Sequence, residues 1–88
     1  MKTRIEYIAN FKTSLDPYNG ITILSEDLPK DILEFEQNLK DLIQNVKDNK
    51  NLIWIYIDIK KSDFIPIATK FGFTFHSCNS YYILLVKV

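Results

Sequence analysis

Leu52-Ile53-Trp54-Ile55-Tyr56-Ile57-Asp58-Ile59 is the stretch that decides the fold. Ile53, Ile55, Ile57 and Ile59 alternate with Leu52, Trp54 and Tyr56, so both faces of an extended chain are apolar here. A strand apolar on both sides belongs inside a sheet, not at its edge. The closing run Tyr82-Ile83-Leu84-Leu85-Val86 has the same character. Between them, Ser62 is expected to cap a helix over residues 63–71, with Gly72 as its left-handed stop. A strand over residues 73–77 follows and joins the last strand through Ser77-Cys78-Asn79-Ser80.

Upstream, Ile32, Phe35, Leu39, Leu42, Ile43 and Val46 form one helical stripe. Pro29 suits the first turn of that helix, because its missing N–H costs nothing there. Asp31, Glu34 and Glu36 crowd its beginning, and Lys40, Lys47 and Lys50 its end, as the helix dipole favours. Asp16-Pro17-Tyr18-Asn19-Gly20 reads as a turn before a short strand at residues 21–24. One earlier strand is expected within residues 3–15. The order is then β-β-α-β-α-β-β. A strand–helix–strand crossover makes its strands parallel and the closing hairpin adds an antiparallel pair. The class is α+β: a mixed sheet with two helices, the last strand lying between strands 52–59 and 73–77.

The 88 residues (10.4 kDa) are expected to form a single domain spanning 1–88. At 47% hydrophobic and 14% aromatic the chain is too apolar to be disordered. Eleven basic residues balance eleven acidic ones, which argues against nucleic acid as a partner. No apolar run is long enough for a membrane span and no signal-peptide core follows Met1, so a soluble cytoplasmic domain is expected.

His76 and Cys78 are the lone histidine and cysteine. Two apart on a strand, they should share a face, yet no third group orients them, and Asp58 and Asp63 are the nearest acids to propose. The bland reading places His76 in structure or an interface and Cys78 as a small buried side chain. Asp31, Glu34, Glu36 and Asp41 read as a solvated helix face, not a cation site. Trp54 and Tyr56 could stack on a base or sugar, but on a central strand they read as core under a helix. Lys60-Lys61 is too short for a nucleic-acid patch. Gly20 and Gly72 are the only glycines, so no phosphate-cradling loop exists, and Ser25-Glu26-Asp27-Leu28-Pro29 would repel a pyrophosphate.

The order of elements, with Ala68-x-x-Phe71-Gly72-Phe73, resembles the acetyl-coenzyme-A-holding half of a GNAT acetyltransferase. The glycine signature that holds the coenzyme pyrophosphate in that family is missing from Ser25–Pro29, so no acetyl coenzyme A is expected. The chain resembles more closely the pre-Nudix domain, the small GNAT-like domain that precedes the catalytic domain in some Nudix hydrolases. The ordered pieces are Asp16-Pro17-Tyr18-Asn19-Gly20, Leu28-Pro29, Ile53-Trp54-Ile55, Gly72-Phe73-Thr74-Phe75-His76 and Tyr82-Ile83-Leu84-Leu85-Val86. They cover residues 15–88, and the chain departs from the pattern at Ser77-Cys78, where His-Ala is common.

The resemblance implies a non-catalytic accessory N-terminal domain of a Nudix (nucleoside diphosphate-linked X) hydrolase that supports domain packing or dimerisation. Its partner would be an attached Nudix catalytic domain or a second copy. No cofactor is expected in this domain; magnesium or manganese is implied for the parent's catalytic domain. With Arg4 the only arginine and four glutamates in all, the catalytic Nudix helix is not contained in this sequence. The close of the chain on Val86-Lys87-Val88 reads as a longer polypeptide divided at a domain boundary. The alternative is a stand-alone GNAT-like module binding a small ligand or a protein without acetyl-coenzyme-A activity, and an autonomous enzyme using His76 and Cys78 ranks third. The expected interface is the sheet margin carrying His76, Ser77, Cys78 and Tyr81, with Phe73 and Phe75 turned to the core.

Overall fold

In the computed structural model, residues 4–46 and 52–88 are described. The isoleucines of β4 (Ile53–Asp58) are buried at 53, 55 and 57, while Trp54 and Tyr56 on the other side are only half-buried. β4 pairs in parallel with β3 (Ile21–Ile23) and antiparallel with β6 (Tyr82–Lys87), which lies between β4 and the edge strand β5 (Thr74–Cys78). On the other flank come β2 (Phe11–Leu15) and β1 (Arg4–Ile8), giving the six-stranded order β1-β2-β3-β4-β6-β5. The α+β class, the mixed sheet and the inner position of β6 match the sequence reading.

The early segment differs from expectation. Residues 3–15 were expected to hold one strand, whereas β1 and β2 form a hairpin with Ile8 opposite Phe11. Its two turn residues, Ala9 (φ 51°) and Asn10 (φ 70°), both lie in the left-handed region that a two-residue hairpin demands. The element order is therefore β-β-β-α-β-α-β-β. The 16–20 turn is as expected, with Asn19 at φ 67°. Its lock is Asp16, whose Oδ1 accepts the N–H groups of Tyr18 (2.8 Å) and Gly20 (2.9 Å).

The long helix α1 (Ile32–Val46) begins two residues beyond Asp27-Leu28-Pro29-Lys30, because Asp31 and not Pro29 sets its start. The Asp31 carboxylate accepts the Glu34 N–H at 3.1 Å. Phe35, Leu39, Leu42 and Val46 are buried along the expected stripe; Lys47 and Lys50, invoked for the dipole, lie outside the described residues. The second helix is also shifted. Ile59–Phe64 is a 3-10 segment, and the true α2 is Ile65–Lys70. Asp58 rather than Ser62 supplies the side-chain cap, accepting the Lys60 N–H at 2.8 Å. Gly72 at φ 95° stops α2, as the sequence reading held.

Both helices pack on one face of the sheet. Phe35 of α1 joins it to the 3-10 segment that leads into α2, stacking on Phe64 (4.7 Å between centroids, 23°) and meeting Phe11 edge-on at 6.3 Å. Ile21, Ile23, Ile55, Ile57, Ala68 and Leu85 complete this core. The expectation that Trp54 and Tyr56 lie under a helix is corrected: they sit on the opposite, uncovered face. Two-sided apolarity here reflects one face closed by helices and one carrying amphipathic aromatics that tolerate a wet side.

Candidate functional site

The uncovered face is where chemistry-bearing side chains gather. β6 residues Val86, Leu84 and Tyr82 stand opposite Trp54, Tyr56 and Asp58 of β4, so all six project from this face. Alternation along β5 puts His76 on the same side, and a β-bulge between Phe75 and Ser77 brings Ser77 there beside it. Its ring meets Trp54 edge-on, centroids 5.0 Å apart at 82°, and its Nδ1 lies 3.3 Å from the Ser77 hydroxyl. A shallow depression lined by Tyr18, Thr22, Trp54, Tyr56, His76 and Leu84 surrounds this pair.

The bulge overturns the shared face expected for His76 and Cys78. Ser77 now stands opposite Leu84 on the uncovered face, and Cys78 opposite Ile83 on the other. Cys78 is also exposed, not a small buried side chain, because β5 is the outermost strand. The same position leaves Phe75 64% exposed although its neighbour Leu85 is buried; only Phe73 of the expected pair reaches the core. The pairing of the Cys78 thiol with the His76 imidazole is not assembled here. Asp63 is exposed and Asp58 is occupied as a cap.

The acids of α1 are likewise dispersed. Asp31 caps the helix, Asp41 accepts from the Gln37 side chain at 3.1 Å, and Glu36 pairs with Lys70 at 2.7 Å. Among the described residues, no group of three or more His, Cys, Asp or Glu is placed to hold a metal ion. Nor is any helix among them long and apolar enough to cross a membrane.

A second concavity of about 480 Å³ opens at the carboxyl ends of the parallel strands β3 and β4, lined by Leu24, Ser25, Glu26, Tyr56, Asp58, Tyr81 and Tyr82. Its floor is fixed by two backbone anchors. The Ser25 hydroxyl accepts the Asp58 N–H at 2.8 Å, and the Ile59 N–H donates to the Tyr81 carbonyl at 3.0 Å. The tyrosine-bearing turn is held by Asn79, whose side-chain oxygen accepts the N–H groups of Tyr81 (2.7 Å) and Tyr82 (3.0 Å).

A family model described as Nudix hydrolase domain matches residues 11–88. The chain belongs to this family, the pre-Nudix domain family. Among curated proteins, Nudix hydrolase 8 of Arabidopsis thaliana is 27% identical over 71 residues, 80% of this chain and 19% of that protein. The chain thus spans about a fifth of the length of the curated relative it matches.

Within this pre-Nudix domain, the sequence reading found the margin residues but not their arrangement. His76, Ser77, Cys78 and Tyr81 are all exposed, but they divide between two faces and a turn. The cleft at the ends of β3 and β4 was missed. Its walls come from three segments well separated along the chain, and only the pairing of β3 with β4 and of β4 with β6 brings them together. The acidic Glu26 was the one visible signal.

Proposed function

We propose that this chain is a non-catalytic accessory domain of a Nudix hydrolase, with a GNAT-like fold, that holds its catalytic partner domain or a second copy of itself. The observation that carries the reading is the uncovered sheet face continuous with an apolar edge. Trp54, Tyr56 and Leu84 are half-buried on that face, His76 and Ser77 continue it to the margin, and Phe75 (64% exposed) and Cys78 add the other side of the same edge strand, near Tyr81. An exposed strand edge flanked by aromatic side chains is a natural template for association. Family membership supplies the partner class, and the longer relative has room for a catalytic domain beyond the matched fifth. In this reading the divalent cation, magnesium or manganese, serves the partner domain in a cytoplasmic enzyme.

The test is sedimentation of the chain alone and with the catalytic domain of its parent hydrolase. Phe75→Ser combined with His76→Ala should weaken association by ~1–3 kcal/mol, with circular dichroism unchanged. An unaltered association constant would move the interface to the opposite edge, where Ile5 and Tyr7 of β1 are 53% and 74% exposed.

A further inference from the structure

We infer that the cleft at the carboxyl ends of β3 and β4 binds a small organic cation, an alkylammonium of the diamine or polyamine class. The inference is independent of whether the domain docks to a catalytic partner. Position is the first argument. In open α/β sheets, ligands sit outside the carboxyl ends of parallel strands, and β3 and β4 are the parallel pair here. About 480 Å³ lies within the range of roughly 300–1,000 Å³ usual for small-molecule sites.

The walls select the charge. Tyr56 and Tyr82 stand nearly perpendicular (85°) with centroids 4.9 Å apart, and the 76% exposed Tyr81 ring adds a third aromatic surface. Ring faces carry negative quadrupole density and attract an ammonium brought within about 6 Å. Glu26 and Asp58 supply full charges. Neither is in an ion pair among the described residues, and the Asp58 carboxylate accepts only the backbone N–H of Lys60 there. Leu24, 40% exposed, offers apolar surface for an alkyl chain.

The cations nearby decide which ammonium ligand fits. Lys61 reaches the Ser25 carbonyl with its ammonium at 3.1 Å, so the loop that lines the cleft already accepts one alkylammonium. Lys61 also offsets part of the carboxylate charge. A monocation would therefore be held weakly, and a dication gains more from two separated carboxylates. An anion meets Glu26 and Asp58 with no glycine-rich backbone to receive it.

The experiment is a titration of the isotopically labelled chain with butane-1,4-diamine, followed by amide NMR, with butane-1,4-diol as the uncharged isostere. Diamine should shift the resonances of Ser25, Glu26, Asp58, Tyr81 and Tyr82, and added salt should reverse it. The diol should leave them in place. Glu26→Gln and Asp58→Asn should each weaken diamine binding roughly three- to tenfold. Asparagine retains the acceptor for the Lys60 N–H, and Glu26 is an exposed residue, so both variants keep the fold. The proposal is overturned by no localised shift at millimolar diamine, by equal shifts from the diol, or by unchanged affinity in the double variant.

Discussion

Replacing Phe35 by alanine removes a side chain that touches two other aromatic rings in the core. The ring is fully buried, stacked on Phe64 and edge-on to Phe11. Truncating a buried phenylalanine costs ~3–5 kcal/mol through lost transfer energy and the cavity left behind. Each aromatic pair accounts for ~0.5–1.5 kcal/mol beyond area burial. At ~0.05–0.15 kcal/mol per residue, an 88-residue chain has only ~4–13 kcal/mol in all, so Phe35→Ala should leave the fold marginal. Phe35→Leu keeps most of the volume and should cost less. Urea unfolding followed by Trp54 fluorescence is the suitable assay, because Trp54 lies on the far face of the sheet and reports global unfolding, not a local change of environment. A double-mutant cycle of Phe35→Leu with Phe64→Leu isolates the stack, with an expected coupling of ~0.5–1.5 kcal/mol. A loss below ~1.5 kcal/mol for Phe35→Ala, or strict additivity in the cycle, would refute this account of how α1 is joined to the 3-10 segment before α2.

Asp31→Ala removes the acceptor that caps α1 and should lower stability by ~0.5–2 kcal/mol in the same urea assay, while Asp31→Asn should restore most of it. Gly72→Ala forces a Cβ onto a residue at φ 95° and should cost ~1–2 kcal/mol, read as a drop in melting temperature; Lys87, whose Nζ lies 2.8 Å from that Cβ position, can swing aside, so the cost is backbone strain.

The chain announced its centre more clearly than its margins. β4 and β6 were legible because a period of two with apolar residues on both faces has few other homes in a sheet of this size. Gly72 was legible because only glycine is at ease with that backbone conformation. Ala9-Asn10 was not, since neither glycine nor proline marks the turn, and the hairpin holds alanine at a positive φ that local preference alone would not choose. The bulge at His76 left no trace either: it is a mismatch of register between β5 and β6, visible only when both strands are paired. Burial of Trp54 and Tyr56 was overstated for a related reason. Sequence periodicity assigns side chains to faces, but it does not say which face the helices will cover.

The insertion of β6 between β4 and β5 has a consequence for biosynthesis. The strand that bridges the sheet centre is the last of the six to leave the ribosome, so the nascent chain carries β4 and β5 with unmatched backbone groups until residues 82–87 emerge. At ~5–20 residues per second, that interval is a fraction of a second to about a second of elongation for residues 82–87. During it, the β1–β2–β3–β4 segment can pair and receive α1, but β5 has no neighbour to join. A ribosome stalled before Tyr82 would hold a half-built sheet, with Ile53 to Asp58 offered along one open side to any extended chain nearby.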